Sequence, residues 1–505
     1  MTRRGFLPLA AAPFARRYAN GQALSFPWSG YGHDPQHTAL SSVPAQALNR
    51  IRWQTPVDLQ PQYSGSSLLV HYGSPLVTAG NTVIVPVKTG AGDGFKVEAR
   101  NGADGSLKYS FTSDYTMPPH SWLPSYSPVV SARSRLYYPG AGGTVYYRDQ
   151  PDSNSGPTGQ IAFYGNANYA ANPSAYNNTV KISTPITSDR SGNIFFGYRV
   201  LGSNPLGLQS GIAKIAYNGV GSFLTAVAAA QGDASITRVA MSCAPALSNN
   251  HQLLYFAVAG GSGFGTGYLV SIDSRTMAPV GRIRLKDPNS SSNGIIPEDG
   301  SASPTVGPDG DVYYGIIENP FPSHHARGWL LHFNGALTQT KLPGSFGWDI
   351  TPSIVPSNLV AGYSGPSSYL ILTKYNNYAG VGGDGINRVA VLDPGAGMTD
   401  AFTAVQVMKE VFTVTGPTPD AEYVSSYPGA VREWCINTTA VDPFTRAAFA
   451  NSEYGRLYRI DFTARAITQS ITLTAGLGEA YTPTVIGVDG TVYAINNAIL
   501  FAVGQ

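Results

Sequence analysis

Over most of the chain, apolar and polar residues alternate for four to seven positions and then break at Gly, Pro, Asn or Asp, the pattern of half-buried strands joined by turns. Two stretches show it most plainly: "SPTVGPDGDVYYG", Ser303–Gly315, and "TPTVIGVDGTVYA", Thr482–Ala494. Each is a short apolar run, an Asp-Gly pair and a second run with Tyr on alternate positions. Asp-Gly suits the positive backbone angles of a two-residue hairpin turn, so each stretch predicts a β-hairpin. Runs of helical period are scarce.

The opening of this hairpin, a small residue, then Pro, then an apolar pair, recurs at Pro75, Pro128, Pro185, Pro245, Pro304, Pro352 and Pro483. The spacing is roughly 50–60 residues until a gap of twice that length before Pro483. Within the gap, Trp434–Pro443, "WCINTTAVDP", keeps the apolar run and the Val-Asp ending, with Ile436 in place of the proline. Eight units of this size predict an all-β, eight-bladed β-propeller of four-stranded antiparallel blades, with an insertion in the sixth. The blades begin near residues 73, 126, 183, 243, 302, 350, 434 and 481. The last unit has room for only three strands. "RIRWQTPVD", Arg50–Asp58, is expected to supply the fourth and so close the ring without an open edge.

Composition narrows the classes of function. The 505 residues include 57 Gly and 37 Pro, only 12% are charged, and the formal net charge is +2. No basic stripe exists to neutralise phosphates, which argues against nucleic acid. No apolar run nears the ~20 residues needed to cross a bilayer. The two cysteines, Cys243 and Cys435, fall in inner strands three blades apart and are expected to remain separate thiols. Residues 1–22 carry Thr2-Arg3-Arg4-Gly5-Phe6-Leu7, which resembles a bacterial twin-arginine export signal and implies a periplasmic or secreted protein. The rest, 23–505, reads as one propeller and a monomer, with a strap over 23–49 ahead of the closing strand.

"WSGYGHDPQHTALS", Trp28–Ser41, together with "VEARNGADGSLKYSF", Val97–Phe111, and "LVSIDSRTMAPVGRIRL", Leu269–Leu285, resembles the strap and repeats of the quinoprotein-like propellers built on the pyrroloquinoline quinone (PQQ) repeat. The resemblance covers nearly the whole chain and implies PQQ with calcium as a cofactor and alcohol oxidation as an activity. The chain departs from that family in lacking adjacent cysteines. Tyr109 and Ile283 also stand where a blade-docking Trp is usual. No quinone or calcium ligand transfers residue by residue, and no metal site is expected. His33 and His37 are four apart, but Pro35 excludes the helix that would pair them on zinc.

In a propeller, the loops entering the inner strands and those joining second to third strands share one face around the channel mouth. The entering loops contain His120, Trp122, Glu298, Asp299, Trp348, Asp349, Glu433, Trp434, Glu479 and Tyr481. Aromatic platforms with a few carboxylates suit a sugar or another polar, ring-bearing ligand. Glu433 and Glu479 precede neighbouring inner strands and are candidates for an acid–base pair, with His120 as a base. In the sixth unit, Lys374, Asn376 and Asn377 sit in a glycine-rich stretch, Thr373–Pro394, expected to lid the mouth. The favoured function is a non-catalytic scaffold binding a small polar ligand, a carbohydrate or a protein at the mouth. The alternatives are a PQQ-dependent oxidoreductase, a carbohydrate-active enzyme using the mouth carboxylates, or a structural platform for assembly.

Overall fold

The inner strands of the expected units form where the Pro motif recurs, and eight antiparallel sheets follow one another along the chain. This computed structural model describes residues 28–65, 67–68, 70–120, 127–261, 263–298, 300–476 and 481–505. The export-like segment 1–22 and candidates Trp122, Asp299 and Glu479 lie outside the described residues. The inner strands are Leu76–Val77, Val129–Val130, Thr187–Ser188, Ala246–Leu247, Thr305–Val306, Ser353–Pro356, Ala440–Asp442 and Val485–Ile486. The fold is the expected eight-bladed propeller.

Closure occurs through the N-terminal segment. Arg50–Pro56 pairs antiparallel with Ile499–Gly504, from Arg50 opposite Gly504 to Pro56 opposite Ile499. Trp53 and Leu500 of these strands are buried in one core with residues of the first and seventh blades. The two ends of the described chain thus share a sheet, in which Arg50–Pro56 is the outer strand and covers the edge of Ile499–Gly504.

The recurring Ser/Thr-Pro has a physical reason. The hydroxyl of one blade accepts the backbone N–H at the same point of the blade before it: Ser127 from Ser74 at 3.1 Å, Ser303 from Ala244 at 2.9 Å, Thr351 from Ser303 at 3.2 Å. Proline at the next position has no N–H to leave unsatisfied beside the channel. The repeat therefore encodes the stitching between blades as well as the start of each strand.

Three details differ from expectation. The Asp-Gly turn is a three-residue connection, Gly307 N–H donating to the Asp311 carbonyl, with positive φ at Gly310 alone (88°). Asp309 accepts the Asp311 N–H at 3.0 Å, and this side-chain bond shapes the turn in place of a second positive φ. The fifth blade has three named strands; its outer edge is reduced to bridges from Leu330 to Gly344 and Phe333 to Thr340. The extra length of the sixth unit is spread over long strands, Arg388–Thr399 and Gln406–Thr415, and the segment 416–433 that follows them.

The strap runs round the inside of the channel. Strap carbonyls from Trp28, Ser29, Pro35, Gln36, Thr38 and Ala39 accept the inner-strand N–H groups of Val77, Val130, Leu247, Val306, Ile354 and Val441 at 2.7–3.0 Å. Six blades are thereby tied to one segment. From this strap Tyr31 reaches along the axis: its hydroxyl donates to Asn437 Oδ1 (2.5 Å) and lies 3.1 Å from Thr351 Oγ1.

Candidate functional site

The entering loops of blades 1, 5, 6, 7 and 8 bring polar groups to the mouth above Tyr31. At the centre is Asp349, held at a φ of 57°. That left-handed position is tolerated by Asp, and here the carboxylate meets Ser301, whose backbone N–H (2.7 Å) and hydroxyl (2.6 Å) both donate to Oδ1. His71 Nε2 lies 3.9 Å from the same oxygen, and Lys374 Nζ lies 3.9 Å from Oδ2.

Lys374 is the next-to-last residue of the strand Tyr369–Tyr375. It is fully buried, and its Nζ has no hydrogen-bond partner among the described residues. Three rings surround the ammonium: Tyr481 at 5.0 Å and Phe346 and Trp348 at 5.7 Å from their centroids. Their negative faces favour a cation, but an ammonium has three N–H groups, and each charge-assisted bond left unmade is worth about 1.5–3 kcal/mol. Phe346 is buried, while Trp348 and Tyr481 are partly exposed.

Beside the lysine is a carboxyl cluster. Glu433 is half-buried, and burial pushes its carboxyl up to about 8, with the like charge of Glu453 adding and Lys374 opposing. Glu453 Oε2 in turn accepts from the Cys435 thiol at 2.9 Å, and the Tyr481 hydroxyl donates to Cys435 Sγ at 3.4 Å. Glu433 is therefore a carboxylic acid that exchanges its proton near neutral pH, within the field of a fixed cation.

The other candidates fall as follows. Trp434 is buried in the core between blades 6 and 7, with its ring 5.5 Å from that of Tyr458. Asn376 clamps its backbone, accepting the Trp434 N–H (3.1 Å) and donating to the Trp434 carbonyl (3.2 Å). Asn377 donates to Asp384 (2.7 Å) and contacts His325 Nδ1 at 2.9 Å. Both amides are spent on bonds within the protein. His120 donates through Nδ1 to the Pro118 carbonyl (2.7 Å) in its own loop. Cys243 and Cys435 form no disulfide.

Sequence reading missed four contributors. His71, in "HYGSP", occupies the same kind of entering loop as the chosen residues, so its position was a usable signal. Glu453 and Tyr31 carry none. Arg327, wholly buried, donates to the Ser345 carbonyl (2.9 Å) and to the Asn376 carbonyl, and lies 4.5 Å from the Tyr375 ring centroid. It fixes the turn that follows Lys374.

A calcium-held quinone can be tested against these residues. Among the described residues no group of three or more His, Cys, Asp and Glu is placed to hold a metal. Asp349 Oδ1, Asn376 and Asn377 are already bonded within the protein. The cavity beside Trp348 and Asp349 is about 10 Å³, the space of one water rather than of a tricyclic cofactor. The described mouth does not fit PQQ with calcium.

No protein-family profile and no curated protein sequence matches the chain. Among solved structures it is similar to a quinohemoprotein alcohol dehydrogenase from Comamonas testosteroni, at 10% identity and a TM-score of 0.53 over 95% of this chain and 81% of that one. It is also similar to a europium-containing methanol dehydrogenase, at 11% identity and a TM-score of 0.51 over 93% and 89% of the two chains. The Saccharomyces cerevisiae protein Sqt1 gives 9% identity and a TM-score of 0.50 over 92% and 100%. At such identities the likeness is one of fold: the chain has the β-propeller architecture of these structures.

Proposed function

We propose that the protein is a ligand-binding propeller that takes a small, ring-bearing molecule with an anionic or strongly accepting group at its channel mouth. The observation that carries this is Lys374, a buried cation with no hydrogen bond among the described residues, ringed by aromatic faces. An acceptor brought by a ligand would complete the ammonium's bonds, and Trp348 and Tyr481 would stack on the ligand's ring. Asp349 holds the lysine in place through its charge. Access requires rotation of the two partly exposed rings.

A second reading, an enzyme, is favoured by Glu433 alone. A carboxyl that titrates near neutrality can give or take a proton at the mouth, as general acid–base chemistry needs. Structures of similar fold include an alcohol and a methanol dehydrogenase, so oxidation of an alcohol is the activity to test first under this reading. The twin-arginine-like segment supports a periplasmic or secreted location, and among the described residues no helix is long and apolar enough to cross a membrane.

The test is a thermal-shift panel of aromatic carboxylates and oligosaccharides on wild type, Trp348→Ala and Lys374→Met. Carboxylates should raise the melting temperature of wild type, less that of Trp348→Ala, and not that of Lys374→Met. Shifts of equal size in all three proteins would overturn the assignment to the mouth. A response confined to oligosaccharides and indifferent to Lys374 would replace the anion with a sugar.

A further inference from the structure

A cavity of about 710 Å³ lies at the opposite end of the channel, between the strap and blades 1 to 4. Its origin is in backbone register. In blade 4, Leu247 stands two residues after Pro245, pairs with Leu254 and donates its N–H to the strap carbonyl of Pro35. In blade 3 the matching position is Ser188, which pairs with Ile194 but stands three residues after Pro185. That extra residue changes which groups the strand presents inward. Among the described residues no strap carbonyl bonds to this strand; the strap turns there instead, with His33 N–H donating to the Gly30 carbonyl at 3.1 Å. Blade 3 is thus a wall of a void where its neighbours meet the strap.

The lining has a definite chemistry. Val129, Val130, Ile186 and Pro35 make much of it apolar. Ser131 and His33 also line it, and Ser131 is only 4% exposed. His33 Nδ1 is 3.3 Å from Asp34 Oδ2, which as a carboxylate only accepts, so Nδ1 carries a proton. The Arg190 backbone N–H donates to His251 Nδ1 at 3.3 Å, leaving that ring a donor at Nε2.

Charge selects further. The lining has three carboxylates, Asp34, Asp152 and Asp189, and one guanidinium, Arg190. Each carboxylate is fixed by backbone N–H donors: Asp34 by Gln36 and Thr38 (both 3.1 Å), Asp152 by Gly80 (3.1 Å), Asp189 by Ser191 (2.8 Å) and Asn193 (2.9 Å). Burial works against the charge of Asp34, but the bonds from His33 and Thr38 hold its carboxyl below the usual range. The wall is negative and preformed.

We propose that this cavity is a second binding site, for a small organic amine whose apolar body lies on Val129, Val130 and Ile186 and whose protonated nitrogen faces the carboxylates. The size is within the range of small-molecule sites. The proposal is independent of the mouth, at the other end of the channel.

Calorimetric titration of the full chain with tryptamine, tryptophol and indole-3-propionate tests it with one ring and three head groups. Tryptamine should bind at least about tenfold more tightly than tryptophol, and indole-3-propionate more weakly than either. Ala132→Phe, on an exposed turn at the cavity's edge, should cut tryptamine affinity by about tenfold or more with the melting temperature unchanged. Ser131→Ala should weaken it a few-fold, and Lys374→Met should leave it intact. Four results would each overturn the site: the carboxylate binding as well as the amine, affinity indifferent to Ala132→Phe, loss in Lys374→Met, or no heat with any of the three up to millimolar concentration.

Discussion

At the channel mouth a lysine is buried and, among the described residues, makes no hydrogen bond, and the cavity beside Trp348 and Asp349 is about 10 Å³. At the strap end three carboxylates are each fixed by backbone donors, and the free space is about 710 Å³. The first is an electrostatic debt in a closed place; the second is open volume with its charges already at rest. The difference teaches that residue type and cavity are separate signals. Strongly placed chemistry at the mouth requires a rearrangement to be used, whereas the strap end needs none and is made by register.

The widest separation between the two ends should appear when one tryptophan is removed from each. Trp28 is 1% exposed and its carbonyl ties the strap to Val77, so Trp28→Ala should cost about 3–5 kcal/mol in denaturant unfolding. Trp348 is partly exposed, and Trp348→Ala should cost about 1 kcal/mol, the ordinary size for a single substitution, while impairing ligand binding. Equal losses would mean that the mouth is as much a part of the core as the strap.

Tyr31 joins the two ends. Tyr31→Phe removes a hydroxyl that serves Asn437 and Thr351 in a buried place, for an expected loss of about 1–3 kcal/mol. No loss would show that these groups satisfy one another without the strap.

The pH dependence should run in opposite directions at the two ends. Burial holds the His37 imidazole down at about 4, against 6.5 in the unfolded chain, although the Pro304 carbonyl and Asp34 oppose the shift. Between those values the unfolded chain binds a proton that the native ring refuses, so stability is lost as pH falls from about 6.5 to 4. Glu433 is the reverse: held at about 8 against 4.5, it keeps in the native state a proton that the unfolded chain releases, so stability is lost as pH rises from about 4.5 to 8. Melting curves of His37→Asn should lose the acid-side fall, and those of Glu433→Gln the neutral-side fall. Variants that parallel wild type across both windows would remove the electrostatic distinction.

The fold was legible because the repeated Ser/Thr-Pro and Asp-Gly positions do local work that is the same in every blade. The hydroxyl of Ser127 or Ser303 bonds the blade before it, and Gly310 takes the left-handed position of its turn. The closing strand was legible because the last unit lacked one. The mouth was legible as a face, since loop order fixes which residues arrive there, but its chemistry was not. Lys374, Glu453 and Arg327 gain their roles from neighbours distant in sequence and from burial, which no local pattern reports. Asn376 and Asn377 read as an open lid, yet both are enclosed by Trp434 and Asp384. The strap was recognised, but the cavity beneath it follows from one additional residue in blade 3, a difference that is neither polar nor apolar.

The most direct test of the central claim, that Lys374 is the anchor of a ligand site at the mouth, is calorimetric titration of metal-free protein and of Lys374→Met with 2-naphthoate, an aromatic carboxylate, with and without calcium. The account predicts binding to wild type that does not need calcium and is lost in Lys374→Met. Binding that requires calcium, or that is equal in the two proteins, would contradict it.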